Sequence, residues 1–164
     1  GALAASALAL KALNGGVSGA EVASPLQCSA HDYGSSFSRA AEIVAPDLRI
    51  LQVSGTASID PEGRTEHAGD VDAQIARTLE VVAAILDSRG LSFAEVVRAN
   101  AYFKRAADCA CLSPRLARVG LPLSRVLVSN NAVCRVDLLF ELEVDAVATD
   151  GGARLVHSRN RRGA

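Results

Sequence analysis

Apolar and polar residues alternate along residues 138–148, and this is the clearest pattern in the chain. Every second residue from Leu138 to Ala146 is apolar, whereas three of the five residues at the intervening positions through Val147 are acidic. Successive side chains of a strand point to opposite faces of a sheet. The alternation therefore predicts a strand with one face packed under helices and the other face turned toward water or another subunit.

Residues 70–90 follow the longer period of an amphipathic helix. Apolar residues recur there at steps of three or four, namely Val71, Ile75, Leu79, Val82 and Leu86. Asp70, just before them, is a good N-cap, and Gly90, just past Arg89, is a natural C-cap. The segment therefore predicts one long helix with a single apolar stripe.

Shorter segments complete the predicted secondary structure. Three further strands are predicted, at 49–56, 96–103 and 125–129. Residues 106–119 have a helical composition that Pro114 breaks or restarts. This order predicts an α+β fold, in which a small, mostly antiparallel sheet carries two helices on one face. Two helices cannot cover both faces of a sheet, so we expect the chain to form oligomers.

The chain is predicted to hold one domain between two less ordered ends. Residues 28–150 form the domain, residues 1–27 an N-terminal extension or linker, and residues 151–164 a frayed tail. Within the extension, the Ala-rich residues 2–13 predict a fraying helix or the end of an upstream domain. Residues 14–36 are rich in Gly, Ser and Ala, and they predict a linker leading into an irregular first strand. The lack of any Met indicates a processed or excised chain.

Composition narrows the classes of function. The formal net charge is −1, which gives no general attraction to nucleic acid or to a membrane. The four Cys and three His residues lack the spacing of a metal site, and no Gly-rich phosphate loop occurs. We therefore expect no metal and no cofactor. The Cys pattern does not require disulfides, which is typical of the reducing cytoplasm.

Three motifs follow one another in the first half of the chain. They are Ser36-Phe37-Ser38-Arg39-Ala40, a strand that ends in Ser54-Gly55, and Asp72-Ala73-Gln74 at the start of the amphipathic helix. This order resembles the Rid/YjgF family, whose members are also called endoribonuclease L-PSP or translation inhibitor. The resemblance covers residues 28–148. It implies a YjgF/chorismate-mutase-like fold, a homotrimer with clefts between subunits and, as in many members, hydrolysis of small reactive enamines or imines.

The resemblance also implies the principal site residues. Residues 122–128 are similar to the family's Pro-Ala-Arg-Ser-x-Val strand, in which the Arg binds the carboxylate of a small ligand; here this is Arg125. Residues 140–143 are similar to its Val-Glu-Ile-Glu strand, in which the Glu holds a water or moves a proton; here this is Glu141. The alternative is a surface pair of Arg125 and Glu141 across an antiparallel hairpin, which contributes little stability.

Four further positions are candidates for ligand binding. Phe37 stands where many relatives have Tyr at the mouth of the cleft, so an apolar wall remains without a hydrogen-bond donor. Ser54 and Gly55 end the first predicted strand, where backbone N–H groups face a ligand or simply form a turn. Asn100 lies on the polar side of its strand, either as a hydrogen-bonding group of the cleft or as an ordinary residue of the sheet.

A motif near the C-terminus is similar to a different branch of the same fold. Residues 134–141 resemble the Cys-Arg-x-Asp-Leu-Leu-x-Glu segment of chorismatase-type enzymes, which hydrolyse chorismate or eliminate its enolpyruvyl group. In that branch Arg135, with Cys134 beside it, is a candidate for binding a dicarboxylate, and Glu141 for proton transfer. The alternative for Arg135 is a solvent-facing turn residue.

Four functions remain open on the sequence alone. A Rid-type enamine or imine hydrolase is favoured, because chorismatases are much longer and this chain has room for only one such domain. The alternatives are a chorismatase-like lyase or hydrolase, a non-catalytic trimer that binds a small carboxylate, and a ribonuclease or translation inhibitor. The near-neutral charge and the scarcity of Lys and aromatic residues disfavour the last of these.

Overall fold

The computed structural model describes residues 9–11, 13 and 15–149 of the chain. Its helices and strands confirm the predicted α+β fold class, and the four predicted strands and the long helix all have counterparts in the structure. The strands are β1 (Ser18–Val22), β2 (Ala40–Ala45), β3 (Leu48–Thr56), β4 (Val96–Phe103), β5 (Val126–Asn130) and β6 (Phe140–Ala148). The helices are α1 (Val71–Asp87) and α2 (Leu112–Val119).

The strands of the described residues form one sheet in the order β1-β2-β3-β6-β4-β5. β4 and β5 run parallel, and the other neighbouring pairs in that sheet are antiparallel. β6 lies between β3 and β4, so the predicted hairpin that joins the strands of Arg125 and Glu141 is wrong. The physical reason is α2, which carries the chain from β4 to β5. A helical crossover of this kind places two strands parallel, so β5 pairs with one side of β4, and β6 pairs with the other side.

The hydrophobic core lies between the helices and one face of the sheet. The four apolar residues at alternate positions from Phe140 to Ala146 are at most 1% exposed, as the alternation predicts. The acidic residues between them are half-buried on the opposite face of the sheet. Leu138 is also fully buried, but it packs in a small separate cluster with Ala57 and Ile59 before β6 begins. The sheet face without helices is therefore polar along its centre.

α1 begins and ends near the predicted positions, whereas the second helix, predicted over residues 106–119, begins at Leu112 after a 3₁₀ turn over Ala106–Cys111. The Asp70 side chain accepts a hydrogen bond from the backbone N–H of Ala73 at 3.0 Å and caps α1. The C-cap is Ser88 rather than Gly90, which lies two residues further on with a positive φ of 65°. Pro114 lies in the first turn of α2, where its missing N–H costs little, so the helix starts anew there. No helix in the described part is long and apolar enough to cross a membrane.

The N-terminal region differs from the prediction. β1 lies within the predicted linker and pairs antiparallel with β2, so that prediction is wrong for Ser18–Val22. β1 is short, mostly exposed and without an apolar run, so its sequence carries little strand signal. The predicted Ala-rich helix over residues 2–13 lies largely, and the predicted tail over residues 151–164 entirely, outside the described residues. The domain limits at 28 and 150 stay predictions.

Candidate functional site

A cavity of about 550 Å³ opens on the sheet face opposite the helices. Its walls are β3, the start of β6, the segment before β2 and the loop that precedes β6. Six of the eight residues predicted for the site line it, namely Phe37, Ser54, Gly55, Cys134, Arg135 and Glu141. The sequence therefore identified most of the wall, although it did not predict that one chain builds the cavity.

Glu141 reaches into this cavity because Gly55 leaves room for it. A Cβ atom on Gly55 would overlap the Oε1 atom of Glu141 and would lie 3.0 Å from its Cδ atom. Gly55 is not among the residues with positive φ, so the glycine is required for space and not for backbone conformation. The absence of a side chain on β3 thus allows the carboxyl group of β6 to lie directly over the neighbouring strand.

The surroundings of Glu141 favour its protonated form. Burial raises the pKa of its carboxyl group above the ordinary value of 4.5, and the negative charge of Glu143 raises the pKa further. A carboxyl group with a raised pKa keeps its proton closer to neutral pH, where it can act as a general acid. Glu141 is therefore suited to donate a proton to a bound ligand.

Arg39 supplies a buried cation that the sequence analysis did not single out. Its side chain is only 4% exposed, and its Nε atom donates a hydrogen bond to the carbonyl oxygen of Cys28 at 2.9 Å. The guanidinium lies 5.5 Å from the ring centre of Tyr33 and 5.4 Å from that of Phe37. Its Nη2 atom is buried without a partner among the described residues. The charge is thus held in place with donor capacity left for an anionic ligand.

Two aromatic residues form the wall around this cation. Phe37 and Tyr33 are 37% and 41% exposed, respectively, and both line the cavity. Phe37 has no hydroxyl group, and Tyr33 brings a phenol to the same wall. An Arg that stacks on aromatic rings is held by cation–π attraction, which fixes its orientation. The signal for Arg39 was present in the sequence, in the motif of residues 36–40.

Cys134 and Arg135, in the loop before β6, form another wall of the cavity. Arg135 donates a hydrogen bond from Nη1 to the carbonyl oxygen of Gly63 at 2.7 Å, so it is tied to the turn after β3 and is not a free surface side chain. Burial raises the pKa of the Cys134 thiol, so the thiol stays protonated and uncharged. This wall therefore contributes one fixed cation and one neutral thiol.

Hydrogen bonds from Ser54 and Gln74 fix two walls of the cavity. Ser54 donates from its hydroxyl group to the carbonyl oxygen of Ser38 at 2.6 Å, and its N–H bonds to the carbonyl oxygen of Arg39 at 3.0 Å. Gln74, which is fully buried on α1, donates to the carbonyl oxygen of Asp137 at 2.9 Å and accepts from the N–H of Leu139 at 2.8 Å. Ser54 thus fixes the wall of Arg39, and Gln74 fixes the loop that leads into Glu141.

Two predicted residues lie outside the cavity. Asn100, on β4, donates a hydrogen bond to the carboxylate of Glu143 at 3.1 Å. Arg125, just before β5, donates to the carbonyl oxygens of Ala94 and Val96 at 3.0 and 2.6 Å. Val96 begins β4 and Tyr102, opposite Glu141, nearly ends it, a separation of about 20 Å along the strand. One chain therefore does not bring Arg125 and Glu141 together.

The arrangement supports acid–base chemistry and does not point to a metal. Among the described residues, no group of three or more His, Cys, Asp or Glu side chains could hold a metal ion. The groups that face the cavity are instead two arginines, a thiol and a carboxylic acid. Such a set can bind an anionic ligand and transfer a proton to it.

The fold and this cavity define the class of protein. A mostly antiparallel sheet with two helices on one face, and a cavity on the other, is the YjgF-type α+β fold. The chain belongs to the endoribonuclease L-PSP family, whose family model matches residues 35–149. The family resemblance seen in the sequence is thereby confirmed.

Individual relatives bear out this assignment. Protein DfrA of Myxococcus xanthus is 32% identical over 114 residues, which are 68% of this chain and 83% of DfrA. A chorismatase crystal structure matches 79% of this chain with a TM-score of 0.69 and 26% identity. This chain spans only 44% of that chorismatase. A YjgF-family protein from Mycobacterium tuberculosis is similar in fold, with a TM-score of 0.63 and 23% identity over 80% of this chain and 100% of that chain.

Proposed function

We propose that this domain cleaves an enolpyruvyl ether on a cyclic dicarboxylate, the type of bond that a chorismatase cleaves in chorismate. The observation that carries the proposal is the placement of Arg39, Arg135 and Glu141 around a single cavity, where burial raises the pKa of the Glu141 carboxyl group. Two fixed cations suit a ligand with two carboxylates, and the acid suits a ligand that must be protonated before it reacts. The likeness to a chorismatase in structure, and in residues 134–141, supports the same ligand class.

The chemistry needs one acid and one water molecule. In the group CH₂=C(OR)–COO⁻, Glu141 donates its proton to the CH₂ carbon, which leaves a positive charge on the carbon that carries oxygen. Water adds to that carbon and returns a proton to the Glu141 carboxylate. The resulting hemiketal breaks its C–OR bond and releases pyruvate and an alcohol. Glu141 thus acts first as acid and then as base, and the reaction consumes one water.

A small enamine is the second candidate, because it contains the same reacting group. In CH₂=C(NH₂)–COO⁻ an acid at the position of Glu141 would protonate the same carbon, and water would then displace ammonia. Membership of the family supports this candidate. The second arginine and the volume of about 550 Å³ favour the larger dicarboxylate, because a small enamine would use one cation and leave much of the cavity empty.

Release of pyruvate from chorismate, followed with lactate dehydrogenase, tests the proposal. We expect a rate well above the uncatalysed one, and we expect Glu141→Gln to lower it by a factor of about 100 or more, as is typical for loss of a general acid. Glu80→Gln, on the surface of α1, is the matched control and should behave as wild type. If chorismate gives no pyruvate while an enamine generated in situ is hydrolysed faster, the enamine is the substrate and the first proposal fails.

A third outcome of the same assays concerns binding alone. If neither substrate reacts and calorimetry still detects binding of chorismate or 2-oxobutyrate, the domain is a carboxylate-binding module. An RNA substrate has the least support, because the formal net charge of −1 gives no general attraction to nucleic acid.

We also propose that the chain forms a homotrimer. Leu127 and Val128 on the edge strand β5 are 67% and 37% exposed, and Leu123 just before it is 48% exposed, so this edge carries apolar surface that a second copy could cover. In a trimer, Arg125 could approach a cavity of a neighbouring chain, which one chain does not allow. Light scattering should give about three times 17.0 kDa. A mass of 17 kDa at micromolar concentration would refute this assembly and leave Arg125 a surface residue.

A further inference from the structure

We infer that Glu143 is a positioning residue that, held by Tyr102 and Asn100, sets a second carboxyl group beside Glu141 and so tunes Glu141 for its role as the acid of the site. The inference deepens the proposed function and rests on it for the role of Glu141. Its electrostatic part concerns the protein without any ligand, so it can be tested separately.

The position of Glu143 is fixed by two donors on the adjacent strand. The phenol of Tyr102 donates to the Glu143 Oε2 atom at 2.8 Å, and the amide of Asn100 donates to the same atom at 3.1 Å. Hydrogen bonds to a carboxylate stabilise its ionised form. Burial and the bond to Glu143 raise the pKa of Tyr102 to about 12, so the phenol remains a neutral donor. Glu143 is thus held in a defined place.

Glu143 lies outside the ligand cavity and next to its acid. It borders a separate recess of about 330 Å³, together with Tyr102 and Asn131, and Glu141 is the residue that borders both spaces. Glu141 and Glu143 are two residues apart on one face of β6, a spacing of about 6.6 Å. Glu143 therefore lies beside Glu141 without lining the ligand cavity itself.

The charges around Glu141 come from every element that packs against it. β6 contributes the anion Glu143, β4 the neutral Tyr102, and β3 only the uncharged Ser54 and Gly55. The segment before β2 contributes Arg39, and the loop before β6 contributes Arg135 and the neutral thiol of Cys134. Both arginines donate a hydrogen bond to a backbone carbonyl. After burial, the charge of Glu143 is the cause that raises the pKa of Glu141.

The direct test is a ¹³C NMR titration of the Glu141 carboxyl group, assigned by its disappearance in Glu141→Gln. In Glu143→Gln, which keeps an acceptor for Tyr102 and Asn100, we expect the pKa of Glu141 to fall by about one pH unit. The matched control is Asp145→Asn, on the same strand and face. Asp145 is paired with Arg98 and lies further from Glu141, so the control should leave the titration unchanged. An unchanged titration in Glu143→Gln, or an equal fall in Asp145→Asn, would overturn the inference.

The pH profile of catalysis gives the second readout. An enzyme that needs protonated Glu141 loses activity as pH rises through the pKa of that group, and in Glu143→Gln this loss should occur at lower pH by the same amount. Tyr102→Phe, which removes one donor to Glu143, should shift both readouts in the same direction but less. If the NMR shift appears while no pyruvate is released from chorismate, the proposed function fails and the electrostatic role of Glu143 stands. A purely structural role would change the melting temperature without moving either pKa.

Discussion

Replacing Gly55 by Ala should displace the carboxyl group of Glu141 while leaving the stability of the fold nearly unchanged. The new Cβ atom would overlap Oε1 of Glu141 and would lie 3.0 Å from Cδ and 3.5 Å from Cγ. Ordinary contact between such atoms needs about 3.5–4.0 Å, so the carboxyl group must move by about 1 Å or more. The backbone of Gly55 lies outside the positive-φ region, so Ala introduces no backbone strain.

The expected effects on stability and on rate differ widely. A side chain forced off its preferred rotamer costs about 0.5–1.5 kcal/mol. Replacing Gly by Ala at a compatible position gains about 0.4–1 kcal/mol, because the unfolded chain loses freedom. These two terms nearly cancel, so the melting temperature should change little. A catalytic group displaced by 1 Å can lower the rate by about 100-fold, and this is the loss we expect for pyruvate release.

Three further variants, namely Gly19→Ala, Glu141→Gln and the double variant, make this experiment decisive. Gly19→Ala, on β1, is the control, because a Cβ atom there meets its nearest neighbour at 3.8 Å, which is ordinary contact. The double variant Gly55→Ala/Glu141→Gln should be no slower than Glu141→Gln alone, because both changes act on one group. A Gly55→Ala variant with wild-type rate would refute the reasoning. So would a double variant slowed by the product of the two single effects.

Three further predictions follow from the same site. Arg39→Lys should weaken binding of chorismate about 10- to 100-fold in calorimetry on the Glu141→Gln background. Lys lacks the planar fork that can bond the Cys28 carbonyl oxygen and the ligand at the same time. Arg49→Lys, outside the cavity, is the control. Gln74→Leu should lower the free energy of unfolding in urea by about 1–3 kcal/mol, because the buried N–H of Leu139 loses its acceptor and the carbonyl oxygens of His67 and Asp137 each lose a donor; Gln52→Leu on the open face should cost less. Folding raises the pKa of Glu141 above 4.5, so ionisation of Glu141 destabilises the folded state as pH rises through the folded pKa. Glu141→Gln should therefore have a higher melting temperature than wild type near neutral pH. Well below pH 4.5 the two proteins should have the same melting temperature.

Local patterns in the sequence predicted the elements that have strong periodicity. The stripe from Val71 to Leu86 gave the long helix with its Asp70 cap, and the alternation up to Ala148 gave the central strand β6 with the correct faces. Both are amphipathic and long, so local periodicity reports directly on burial. The exposed strand β1 lacks such a pattern, and it was predicted as linker for that reason.

The pairing of strands could not be predicted in the same way. β6 follows β5 in the chain but inserts between β3 and β4, a choice that depends on contacts far apart in sequence. The expected hairpin placed Arg125 beside Glu141, whereas the observed order places β4 between their strands. The same strand order brings Arg39 and Glu141 to one cavity, although about a hundred residues separate them in the chain. Local sequence patterns therefore do not reveal that Arg39 belongs to the site, even though it lies in the motif of residues 36–40.

A single irregularity in β3 accounts for most of the site. Val53 pairs with Val144 and Thr56 with Leu142, so three steps on β3 match two steps on β6 and the chain bulges at Ser54-Gly55. Bulges redirect side chains and are frequent beside active sites. Here the bulge lies where Ser54 bonds the segment of Arg39 and where Gly55 leaves space for Glu141. One extra residue therefore positions the cation and the acid together, and the Ser-Gly pair, more than the distant Arg125, is the sequence feature on which the cavity depends.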